Sequence, residues 1–186
     1  MGTMKQGCMK NYSTNTTTIF FCCCALGAFA LILEGCSTFA GYSNESIFPE
    51  NVKTVSVKMF DNQTFRRGVE YELSDALAKR IETDTPYKIV TSEDYADSVI
   101  TGRILNIGEA ALTMERLTGH VLEKEVGMTA VVNWKDLKTG ELLIDNLTIS
   151  SSASYSEYQN QDFQYGSSLA ANNLALNIVE HMEKSW

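Results

Sequence analysis

The sequence predicts an α+β domain: two helices packed on one face of a mostly antiparallel or mixed β-sheet of about four to five strands. Three observations lead there. Residues 121–136 alternate, with Val126, Met128, Ala130, Val132 and Trp134 on one face, the period of a half-buried strand. Apolar residues recur at helical spacing twice, in residues 66–83 and 167–184. The segment order is β-α-β, then a meander, then α, and helices at both ends of an antiparallel run fit one sheet covered on one face.

Taken in order, residues 52–60 form the first strand, with Val55, Val57 and Met59 alternating against Thr54, Ser56 and Lys58. Asp61-Asn62-Gln63-Thr64 breaks it, as turn-forming residues do, and Thr64 is placed to cap the helix that follows. That helix, residues 66–83, lines up Val69, Leu73, Ala76, Leu77 and Ile81, and Pro86 ends it. A short strand at 87–90 and a single turn at 92–95 lead into an extended segment from Ser98 to about 115, bent near Gly108. The strand at 121–136 turns at Lys138-Thr139-Gly140 into a third extended segment, 141–155. Residues 150–168, rich in Ser, Gln and Tyr, read as a strand end followed by a loop. The last helix turns Ala171, Leu174, Ala175, Ile178 and Met182 inward.

The chain of 186 residues carries 15 Lys+Arg against 23 Asp+Glu, a formal charge of −8. An acidic balance argues against nucleic acid as a partner, since phosphate binding needs a basic surface. All five cysteines (Cys8, Cys22, Cys23, Cys24 and Cys36) precede position 37, which excludes a disulfide framework or zinc cluster in the body. Lys5 and Lys10 followed by the apolar run 19–33 form a signal-peptide pattern. As a helix that run would cover only about 22 Å of a roughly 30 Å hydrocarbon core, too short for an ordinary membrane span.

The run ends in Leu33-Glu34-Gly35-Cys36, which resembles the bacterial lipobox, with Glu34 departing from its small uncharged position. The resemblance implies cleavage after residue 35, lipid attachment at Cys36, and a tether over residues 36–51 ahead of a single domain at 52–186. Several acyl chains on one residue anchor stably where one alone holds weakly. By resemblance to such lipoproteins, Ser37 is compatible with transfer to the outer membrane. Cleavage removes Lys5, Lys10 and Glu34, leaving the mature chain one charge more negative.

No catalytic constellation is expected. His120 and His181 have no ligand-spaced partners, so both read as surface histidines and no metal or cofactor is predicted. There is no G-x-S-x-G elbow and no glycine-rich phosphate loop. Glu93, Asp94 and Asp97 read as a solvated, helix-capping cluster. Arg66 and Arg67, expected at a helix start, oppose the helix dipole there and so call for a partner: Glu70 or an outside anion.

These residues also carry a resemblance. A lipobox, Gly41-Tyr42, a Val-rich strand, then Phe60-x-Asn62-x-Thr64-x-Arg66-x-Gly68-Val69-Glu70 and Leu73-Ser74-x-Ala76-Leu77 resemble the LptE family of lipopolysaccharide-assembly lipoproteins. The strand Asp97-Ser98-Val99-Ile100-Thr101-Gly102 resembles that family's A-D-x-x-L-x-G strand. The resemblance implies a non-enzymatic plug on the periplasmic face of the outer membrane, lipid-anchored, which assists assembly of an LptD-like β-barrel and contacts lipopolysaccharide. The anion would need local bases: Arg66, Arg67, Arg103, Arg116, Lys124 and Lys135 are the candidates, with Lys138 beside them. Tyr155, Tyr158, Phe163 and Tyr165 are the candidate partner contacts, since aromatic rings with polar tips suit interfaces. The alternative is a lipoprotein adaptor of another envelope complex, a transport accessory or a cell-wall synthase activator.

Overall fold

Every strand of the protein belongs to one sheet. The computed structural model describes residues 46–183. In order these form β1 (Thr54–Val57), β2 (Asp61–Asn62), α1 (Val69–Asp84), β3 (Lys88–Ile89), a 3-10 turn (Glu93–Tyr95), β4 (Ser98–Met114), β5 (Val121–Asp136), β6 (Leu142–Tyr155), a second 3-10 turn (Glu157–Gln159) and α2 (Phe163–His181). The sheet order is β3-β1-β4-β5-β6, with β2 also paired to β4. The class is the α+β one predicted, with six strands rather than four or five.

The extra strand comes from the first one dividing. Val55 to Val57 run parallel to Ser98–Ile100 of β4, whereas Asp61 and Asn62 meet the same strand farther on, at Arg103 and Ile104. Parallel partners cannot be joined by a tight turn, and α1 supplies the crossover from β1 to β3. The other three strands form the expected antiparallel meander.

The face of β5 read from alternation is the buried one: Val126, Ala130 and Val132 are wholly buried, Met128 and Trp134 nearly so. Against it α1 sets Val69, Leu73, Ala76, Leu77 and Ile81, and α2 sets Ala171, Leu174, Ala175 and Ile178. The other face keeps the polar half of the pattern, with Ser150, Ser152 and Ser154 exposed. At the outer flank of β6, Asn173 of α2 donates its amide to the Ser152 carbonyl at 3.0 Å. Asn177, one turn on, reaches the Ser150 carbonyl at 3.5 Å.

Three boundaries differ from expectation. Helix α1 starts at Val69, not 66, because Gly68 takes a left-handed turn (φ 95°) that a side-chain-bearing residue resists. Helix α2 starts four residues early, at Phe163, because the Asp162 carboxylate accepts the Tyr165 N–H at 2.9 Å and caps it. The expected loop over 150–168 is therefore strand, turn and first helical turn. Residues 46–51, expected as the end of a tether, pack on the body: Phe48 is buried edge-on to Tyr87, ring centroids 5.8 Å apart, and Asn51 donates to Asp136 at 2.9 Å. The rest of the tether, the leader and Cys36 lie outside the described residues.

Gly102 shows why its strand ends its motif in glycine. A Cβ there would run into the Phe60 ring and lie 2.7 Å from the Val131 carbonyl. Gly102→Ala is expected to lower stability by about 1–3 kcal/mol through overpacking, measured by urea unfolding. A midpoint unchanged from the parent would show that Phe60 swings away without loss.

Candidate partner and anion-contact surface

The loop between β2 and α1 is organised by one side chain. Asn62 accepts the Thr64 N–H at 2.8 Å and its hydroxyl at 2.7 Å, and donates to the Arg66 carbonyl at 2.6 Å and Glu70 Oε2 at 2.7 Å. Glu70 Oε2 also accepts the Gly68 N–H at 3.0 Å. These bonds stabilise the Glu70 anion: its own backbone N–H, then the Asn62 amide and the Gly68 N–H, hold its pKa below the ordinary value, and Arg67 adds attraction. Thr64, expected as a helix cap, is instead an Asn62 partner, and Gly68 stands at the cap position.

The result is a closed turn that faces its arginines outward. Arg66 and Arg67 precede α1 rather than opening it, and the first turn of α1 carries Glu70 and Glu72, the sign its dipole favours. The Arg66 guanidinium lies 3.9 Å above the Phe163 ring, a cation–π contact between the loop and the start of α2. Arg67 is exposed, and among the described residues it has no ion pair within 4 Å. Phe65, between the loop's turn residues and these arginines, is wholly exposed.

The remaining expected bases do not gather. Lys124 lies between Glu157 (2.6 Å) and Glu109 (3.2 Å), which push its pKa up and leave its charge spent within the chain. Lys138 is paired to Asp97. Arg103 sits beside β2, in register with Asp61. Arg116 is exposed in the β4–β5 turn, and Lys135 is exposed near the other end of β5. At about 3.3 Å per residue, Lys124 and Lys135 are separated by roughly 36 Å along the strand. Arg66, Arg67 and Arg103, all around β2, are what remains of a basic surface.

The aromatic candidates divide in the same way. Tyr155 is a core residue, 3% exposed, its ring packed where a Cβ on Gly166 would lie 2.7 Å away. Its hydroxyl donates to Glu109 at 2.9 Å, the leading reason the Glu109 carboxyl titrates below its usual value. Tyr158 and Tyr165 are exposed, and Phe163 is half-buried under Arg66. Sequence reasoning passed over Phe65, Leu112, Met114 and Leu117, all exposed. Phe65 had one available signal: an aromatic residue in a polar turn, out of phase with the helix that follows. Among the described residues no cluster of three or more metal-ligating side chains occurs.

A two-layer α+β body that displays an aromatic and basic loop is, in class, a small binding module. The chain belongs to the LptE family, described as lipopolysaccharide-assembly, whose sequence profile matches residues 52–182. No curated protein matches it in sequence. Among solved structures it is similar to the hypothetical protein CT253 from Chlamydia trachomatis, at 12% identity and a TM-score of 0.50, covering 69% of this chain and 94% of that one. It is also similar to the uncharacterised lipoprotein B from Nitrosomonas europaea, at 13% identity and TM-score 0.48 over 75% of this chain and 86% of that one. A third similarity is to the rare lipoprotein B from Shewanella oneidensis, at 15% and 0.43 over 70% and 93%. At these identities the Chlamydia structure speaks for the fold alone.

Proposed function

We propose that the protein is a non-catalytic, lipid-anchored plug that occupies an LptD-like β-barrel on the periplasmic side of the outer membrane and assists its assembly for lipopolysaccharide transport. The observation that carries this is the family match over residues 52–182, which takes in all six strands and both helices. Two features support it. The exposed sheet face is lined by serines, suited to a barrel interior that is polar. No helix among the described residues is long and apolar enough to cross a membrane, so the anchor falls to the acylated Cys36. Purification from envelope membranes is expected to recover a large barrel protein in stoichiometric amount. Recovery of only inner-membrane or cell-wall enzymes would sink the reading.

Two variants test its parts. Cys36→Ala is expected to abolish acyl labelling and release the protein from membranes; retained labelling would place the lipid elsewhere. Arg66→Ala combined with Arg67→Ala is expected to weaken binding to lipopolysaccharide vesicles several-fold while leaving the thermal midpoint nearly unchanged, since both side chains are exposed. A lower midpoint with unchanged binding would make the arginines structural.

A further inference from the structure

The two flanks of the β4–β5–β6 meander end differently. The outer flank of β6 is met by the Asn173 and Asn177 amides. The outer flank of β4 pairs with β1 at Ser98–Ile100 and with β2 at Arg103 and Ile104. From Leu105 to Met114, among the described residues, it pairs with nothing. Backbone N–H and C=O groups on alternate residues there face solvent. Leu105 (41%), Leu112 (50%) and Met114 (60%) are exposed on the same stretch, and Glu109 is its one charge. Phe65 stands near its beginning, just past β2, and Leu117 just past its end, both almost fully exposed. Unpaired backbone flanked by apolar side chains is a template for another strand.

We propose that this flank pairs with its counterpart in a second copy of the chain, antiparallel, with the two-fold axis at Ala110. Three features select that occupant and that register. The open stretch 105–114 has its midpoint beside Ala110, so two copies lie along each other over its whole length and neither β2 is displaced. Glu109 then faces Ala111 of the other copy, whereas an axis one residue earlier would set Glu109 against Glu109. Gly108 faces Leu112. A Cβ on Gly108 would meet nothing within 4 Å and its φ is not positive, so nothing within the chain requires a glycine there. The partner's leucine fills that space, as expected where a strand glycine marks a close approach. The hairpin turn of each copy, with Met114 and Leu117, then arrives beside the Phe65 loop of the other, and the contact is isologous and closes on itself.

The test uses the full chain as recovered from membranes in detergent. Ala110→Cys is expected to form a disulfide-linked dimer under mild oxidation, while Ser152→Cys, on the amide-capped flank, and the parent chain do not. In the Ala110→Cys background, Gly108→Leu is expected to lower the cross-linked fraction at least tenfold without changing the thermal midpoint, because the added side chain occupies the space of Leu112. Ala111→Pro, which removes an edge donor, should do the same. Sedimentation of the parent as a monomer at every concentration, with no cross-link at position 110, would overturn the proposal. So would cross-linking from position 110 to a different protein, or a cross-link that Gly108→Leu leaves intact.

Discussion

Trp134→Ala is expected to destabilise the protein by about 3–5 kcal/mol, the range for emptying a large aromatic site, and to lower its thermal midpoint by roughly 10–20 °C. Trp134 heads the fully buried side chains and lies in β5, the strand both neighbours pair with. Its ring packs on Tyr87 (centroids 5.9 Å), which packs on Phe48, so one cavity would loosen β5, the β3 end of the sheet and the amino-terminal segment together. The indole N–H also donates to Ser98 Oγ at 2.9 Å, and Ser98 is wholly buried. Truncation therefore adds a hydroxyl short of its partner to the cavity. Trp134→Phe separates the two terms: it keeps most of the volume, drops the N–H, and is expected to lose about 1–3 kcal/mol. Equal losses for Ala and Phe would assign the effect to the hydrogen bond, against the cavity account.

Acid is expected to unfold the protein through Asp97 and Asp136. Asp97 pairs with Lys138 and accepts the Lys53 and Thr54 backbone N–H groups at 2.9 and 3.0 Å, fixing the start of β1. The lysine first, then those N–H groups, hold its pKa well below the ordinary carboxylate range. Asp136 accepts the Thr139 and Lys138 N–H groups of the β5–β6 turn and the Asn51 amide, and its pKa is lowered as well, chiefly by the Thr139 N–H. Both folded values lie below an unfolded reference of about 3.9, so the unfolded chain takes up protons first. The stabilisation is present in full above that reference and is lost as pH falls through the folded values. Urea unfolding at pH 7 and pH 3 should show the loss. Asp97→Asn should be about 1–3 kcal/mol weaker at pH 7 and lose less than the parent on acidification. A variant that loses as much as the parent would clear Asp97 of the role.

What was legible in the sequence was whatever repeats along the chain. The faces of β5 and α1 followed from periods of two and 3.6, because burial on one side imposes them directly. The basic and aromatic candidates fared worse for a physical reason. Whether Lys124 is free depends on Glu109 and Glu157, brought beside it from β4 and from the turn after β6 by strand register. Tyr155 and Phe163 look alike in sequence, yet Gly166 opens a place in the core for one, while Arg66 covers the other. The motif from Phe60 to Glu70 was legible as a motif but not as a structure. Its spacing records the four bonds of the Asn62 side chain, and only the folded loop shows that they are made.

The Asn173 and Asn177 amides invite a comparison of rulers. Four helical residues rise about 6.0 Å and two strand residues advance about 6.6 Å, so a helix laid along a strand offers side chains at nearly the interval of the strand's outward carbonyls. Helix α2 thus imitates, at the boundary of the sheet, the hydrogen-bond donors that a next strand would have brought. The domain consequently has a sense of direction: growth by strand addition is terminated at β6 and remains open along β4.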